Sequence, residues 1–178
     1  FKSMLPEFDR LKIQLADGFG KGEPIINDDY VWFNGAEKCG HAKNEVISIP
    51  WPSEYAGGVA RGFDDNKESG HWFAGAQVDT RMCNGSCSYE TFEFQRVAEE
   101  KEYKQRDGFF NYTKTAYRPY DLAVNCFLII AKHHMGNLLT VKSDGDTQHW
   151  ADGRILCQKV LGYGIDFEAM KASALNNM

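Results

Sequence analysis

Apolar positions change their spacing along this chain, and each change predicts an element. Near the start, Phe8, Leu11 and Leu15 recur at helical intervals and predict a short helix, ended by Asp17-Gly18 and the glycines at 20 and 22. Tyr30-Val31-Trp32-Phe33 then reads as a strand closed by Asn34-Gly35, a strong turn signal. Glu45 to Ile49 alternates and predicts a second strand, which Pro50-Trp51-Pro52 ends because proline cannot donate to a ladder. Ser53 to Gly70 is rich in Gly, Asp, Asn and Ser and predicts a long surface loop. Trp72 to Val78 predicts a strand, and Asn84-Gly85 a turn. Tyr89 to Val97 predicts another strand, with Phe92 and Phe94 on one face and Glu93 and Gln95 on the other.

The second half is more regular. The charged run Ala98 to Asp107 reads as a solvated connector, and Phe109 to Thr115 as strand-like. Pro119 suits the first turn of a helix, and Asp121 places a carboxylate against its N-terminal dipole. That helix runs to about Met135, apolar on most of its circumference, with Lys132, His133 and His134 in its last turn and Gly136 as its stop. Leu138 to Lys142 predicts a short strand. Ser143-Asp144-Gly145-Asp146 turns into a helix from about Thr147 to Leu161, capped by Asp144 or Asp146 and stopped at Gly162-Tyr163-Gly164.

This order of elements predicts an α+β fold, a mostly antiparallel sheet covered by two C-terminal helices. It fits a single domain over residues 4–168, with a flexible tail over 169–178. Phe1-Lys2-Ser3 reads as the remnant of a cleavable tag, with the natural start at Met4. Composition agrees with a packed core: 43% of the 178 residues are hydrophobic and 13% aromatic, which argues against disorder. The 20 basic and 25 acidic residues leave a net charge of −5, the wrong sign for a general nucleic-acid binder. No apolar run approaches the ~20 residues that span a bilayer, and no secretory leader is visible, so a cytoplasmic location is expected.

The cysteines carry the first candidate chemistry. Five of them in such a chain do not suggest a disulfide framework. Cys126 and Cys157 fall on helical patterns and read as small buried hydrophobes. Cys39-Gly40-His41 and Cys83-Asn84-Gly85-Ser86-Cys87 lie in loops, and their thiols and imidazole match a Cys3His zinc set. The spacings depart from the usual knuckle: one pair is C-x-H and the other C-x3-C.

A second constellation surrounds the C-terminal turn. Asp144, Asp146 and His149 lie at a predicted helix N-terminus, where unpaired N–H groups attract anions. Arg118 and Lys142 add positive charge, and His133 and His134 end the preceding helix. Arg118, His133, His134, Lys142 and Asp144 are therefore candidate ligand-binding residues, and Asp144, Asp146 and His149 candidate catalytic ones. Helix capping and dipole compensation explain most of them without any ligand. Cys126 sits mid-helix beside no base, and no serine lies in a nucleophile elbow.

Lys114-Thr115-Ala116-Tyr117-Arg118-Pro119-Tyr120-Asp121, with Ser143-Asp144-Gly145-Asp146 followed by Trp150, resembles a block in small uncharacterised proteins of bacteria and their phages. The resemblance covers about a third of the chain and implies an origin but no activity. The leading expectation is a small cytosolic, phage-encoded binding protein that recognises a protein or small anionic ligand without catalysis. One alternative is a hydrolase-type enzyme using the cluster at 144–149 with Arg118. The other is a zinc-stabilised interaction module built on Cys39, His41, Cys83 and Cys87.

Overall fold

The structure, a computed structural model, describes residues 1–47, 71–73, 76–78, 81–97, 104–105, 108–145 and 147–172. The loop expected at 53–70, Asp146 and most of the charged run at 98–107 lie outside the described residues. In chain order the elements are α1 (Met4–Arg10), β1 (Ile25–Ile26), β2 (Tyr30–Phe33), β3 (Lys43–Ile47), β4 (His71–Phe73), β5 (Ala76–Val78) and β6 (Arg81–Asn84). They continue with β7 (Phe92–Gln95), β8 (Lys104–Gln105), β9 (Gly108–Phe109), α2 (Asp121–Met135), β10 (Lys142–Ser143), α3 (Ala151–Leu161) and β11 (Met170–Lys171). The fold is α+β, as the sequence predicts.

β2 is the centre of a three-stranded antiparallel sheet in the order β1-β2-β7, with Val31 opposite Phe94 and Phe33 opposite Phe92. Alternation puts Val31 and Phe33 on one face, where both are fully buried. That face meets α1 and α2 in an aromatic cluster. Phe8 of α1 stacks on Phe33 at 5.8 Å, and Phe127 of α2 meets Phe8, Phe92 and Phe94 edge-on at 5.3, 5.4 and 5.2 Å. Rings arranged edge-to-face at these distances gain electrostatic attraction beyond their buried area. Leu156, Cys157 and Val160 of α3 close the core behind α2. Cys126 and Cys157 are buried hydrophobes there, as expected.

β3 and β6 form a separate antiparallel pair, with Ile47 opposite Arg81 and Val46 opposite Met82, then a bulge before Lys43 meets Asn84. Further antiparallel pairs are β4–β5 and β8–β9, while β10–β11 is parallel.

Several local expectations change for identifiable reasons. The first helix starts at Met4 and ends at Arg10, because Lys12 adopts a φ of +50° and turns the chain. In place of the one strand expected over 72–78, β4 and β5 pair antiparallel with each other, His71 opposite Val78. Residues 110–115 are irregular: Asn111 and Thr113 reach the carbonyls of Glu93 and Thr91 through their side chains, so no backbone ladder forms. Leu138 lies in a 3₁₀ turn, leaving β10 only two residues long. A second 3₁₀ turn, Thr147–Trp150, precedes α3, whose N-cap is Trp150 with no side-chain bond; the expected Asp144 cap is not made. β11 lies within the stretch expected as a flexible tail, and the Met170 and Ala172 N–H groups donate to the Val141 and Ser143 carbonyls. Phe1 stacks on Phe94 at 6.1 Å, so the segment set aside as a tag remnant touches the sheet.

Candidate metal centre

Cys39, His41, Cys83 and Cys87 converge from two loops and one strand end. Cys39 and His41 sit in the loop between β2 and β3, Cys83 within β6, and Cys87 just after it. Gly40 and Gly85 have φ of +79° and +81° with no atom near a would-be Cβ. Each gives its short ligand loop a left-handed turn that an L side chain resists, and so aims the flanking ligands inward. The two loops are held together by backbone: the Cys87 N–H donates to the Ala36 carbonyl at 3.0 Å. Gly35 packs so tightly there that an added Cβ would lie 2.0 Å from the Cys87 carbonyl oxygen. Asn34 anchors the same corner. Its amide donates to Gly18 and Tyr89 carbonyls, and its oxygen accepts from the Gly35 and Tyr89 N–H groups.

The four candidate ligand atoms all lie within 4.8 Å of one another. Cys39 Sγ is 3.4 Å from Cys83 Sγ, and His41 Nδ1 is 3.3 Å from Cys87 Sγ. Cys83 and Cys87 are buried, Cys39 and His41 half-buried, and every thiol is free. This group could hold a metal ion. Burial opposes charge on the Cys39 thiol, but the His41 backbone N–H, the Cys83 and Cys87 thiols and the His41 ring outweigh it and lower the thiol to about 6. Burial raises the other two, and proximity to the Cys39 sulfur raises them further. Negative charge is thus favoured first on Cys39, and a bound cation would favour deprotonation of the other two thiols.

The second sequence constellation is divided. His149 sits half-buried in the 3₁₀ turn before α3, its ring edge-on to Tyr117 at 4.8 Å, next to Arg118 in the chain. His133 and His134 lie at the other end of α2, about 12 Å along its axis from Asn125, which bonds the His149 carbonyl. There His133 stacks on Tyr163 at 3.7 Å, and His134 meets Glu7 at 2.7 Å. Lys142 on β10 and Asp144 after it are exposed.

Sequence reasoning missed a buried ion network beside the metal ligands. Arg81, 1% exposed, stands two residues before Cys83 on β6. Its Nε donates to Asp121 Oδ2 at 3.0 Å, its Nη2 lies 2.8 Å from the same oxygen, and its Nη1 pairs with Asp152. Thr115 and Asn125 also donate to Asp121, at 2.5 and 3.2 Å. Burial works against the Arg81 charge, but the two carboxylates outweigh it and raise its pKa. The signal available in sequence was the pair of acidic residues in the first turns of α2 and α3. An arginine in a short strand carried no hint of its burial.

None of the protein-family models, curated proteins or solved structures compared with this chain matches it. Among the described residues, no helix is long and apolar enough to cross a membrane.

Proposed function

We propose that this protein is a zinc-stabilised interaction module in which Cys39, His41, Cys83 and Cys87 hold one structural Zn²⁺. The observation that carries the reading is the convergence of three sulfurs and an imidazole within 4.8 Å. Zinc at about 2.3 Å from each sulfur sets tetrahedral edges of about 3.8 Å, so contacts of 3.3 and 3.4 Å need little rearrangement. Thiolate-rich sets favour zinc over calcium or magnesium, which take oxygen ligands. Four protein ligands leave no position for a substrate or activated water, which favours a structural over a catalytic ion. Support for an interaction surface is the exposure of Phe19 and Tyr89, 71% and 51%, both adjoining backbone that Asn34 ties to the metal corner. The partner proposed for that surface is a protein. The test is native mass spectrometry with elemental analysis of freshly purified protein. One zinc per chain is expected, and its loss in Cys87→Ala; a metal-free wild-type protein that cannot be loaded ends the proposal.

A second reading, recognition of a small anionic ligand, is favoured by one observation. Arg118 Nε and Tyr117 Oη are buried with no hydrogen-bond partner among the described residues. Buried polar groups are rarely left unpaired, and Tyr117 and Ala116 both carry φ near +50°. Titration with inorganic phosphate should shift the His149 ring signals in NMR, and Arg118→Met should abolish the shift. No shift in the wild-type protein would end this reading.

A further inference from the structure

Building on the zinc reading above, we infer that Arg81 couples metal binding at the Cys/His tetrad to the docking of β6 on the N-termini of α2 and α3. Arg81 and Cys83 are two residues apart on one strand and so share a face. Both are essentially fully buried, at 1% and 0% exposure. The strand therefore carries a metal ligand and a buried cation in rigid succession. Its register is fixed on the Arg81 side by the pairing of Ile47 with Arg81 and Val46 with Met82. On the metal side, the bulge in β3 sets two residues of that strand, Asn44 and Glu45, opposite Cys83 alone. Bulges bend a strand and re-aim side chains. A metal that fixes Cys83 against Cys39 and His41 fixes the guanidinium as well.

At its other end the guanidinium holds two separate helices. Asp121 lies in the first turn of α2 and Asp152 in the first turn of α3, and both are buried. Asp121 and the His149 carbonyl are further joined through Asn125. Withdrawing Arg81 would leave two carboxylates facing one another with little water to compensate, an arrangement the fold resists. Metal binding therefore favours the arrangement of β6 in which the cation is clamped. Coupling free energies are reciprocal. If zinc promotes the clamp, breaking the clamp must weaken zinc, although Arg81 is not itself one of the four ligands.

Zinc affinity, measured by competition with a chromophoric chelator, tests this on the full chain. Arg81→Met and Asp152→Asn are each expected to weaken zinc by about tenfold, within the usual range of such couplings. Val160→Ala, a buried change toward the far end of α3, should leave it within about twofold. Hydrogen exchange supplies the second reading: removing zinc from wild-type protein should speed amide exchange at 121–125 and 151–155, whereas Arg81→Met should already exchange fast there with zinc bound. Should Arg81→Met fail to fold, Asp152→Asn decides, since it keeps shape and an acceptor oxygen. Unchanged zinc affinity in the clamp variants, or equal weakening in Val160→Ala, overturns the coupling while leaving the zinc reading intact. Wild-type protein that takes up no zinc overturns both.

Discussion

Glu7 accepts a hydrogen bond from Tyr163 at 2.6 Å and meets His134 at 2.7 Å, so one carboxylate joins α1 to the end of α2 and to the chain after α3. Burial works against its charge, but Tyr163, His134 and nearby His133 hold its carboxyl below the ordinary 4.5. A carboxyl lowered on folding stabilises the native state above its unfolded value, and that contribution is lost as pH falls through the folded value. Glu7→Gln should therefore cost up to about 1 kcal/mol at neutral pH and nothing once both proteins are well below pH 4.5. Urea denaturation across the acid range measures it; a penalty independent of pH would exclude the charge as its cause. At this scale the sequence was uneven in what it revealed. The metal ligands were legible because thiol and imidazole declare their chemistry wherever they stand. Asn34 declared only a turn, since its partners on Tyr89 lie 55 residues away. His133 and His134 read equally well as ligands or as dipole partners, and only their contacts with Tyr163 and Glu7 distinguish the uses.

Among the elements, α2 was readable almost to its ends because fifteen residues of mostly apolar chain, Asp121 and a terminal Gly136 all argue for one helix. α3 was less so: the acidic turn looked like a cap, but the chain spends Thr147–Trp150 in a 3₁₀ turn first and starts the helix at Ala151. Trp150 is buried and packs its ring, tilted by 43°, against Phe167 at 5.0 Å, so tertiary packing sets that boundary in place of local capping. The three aromatic partners of Phe127 were equally hidden, since they come from α1 and β7, and no spacing rule links them. Their convergence makes Phe127 the joint between helices and sheet. Phe127→Ala should cost about 3–5 kcal/mol, the usual range for removing a fully buried ring. A loss below 1 kcal/mol in chemical denaturation would mean the neighbouring rings collapse into the space.

Across the whole molecule, the Arg81 clamp joins the strand that carries Cys83 to the two helices packed in the core. The α1–α2–α3 core is built mainly from apolar side chains, whereas β3 and β6 are a two-stranded pair, too small to be stable unaided. Metal is what would make up that deficit. A ligand at about a hundred times its dissociation constant stabilises by about 2.7 kcal/mol, and each kcal/mol moves the midpoint of a chain this size by about 2–4 °C. Loading with zinc should thus raise the thermal midpoint by about 5–10 °C over chelator-treated protein. Helical circular dichroism should remain nearly unchanged at 25 °C, because α2 draws its packing from the core and not from the tetrad. Calorimetry and far-ultraviolet dichroism on the same two samples read both quantities. Equal midpoints would assign the stability of the β3–β6 pair to the Arg81 clamp and leave the cysteines without a structural role. A large loss of helix on chelation would instead make the metal a condition for folding the whole chain.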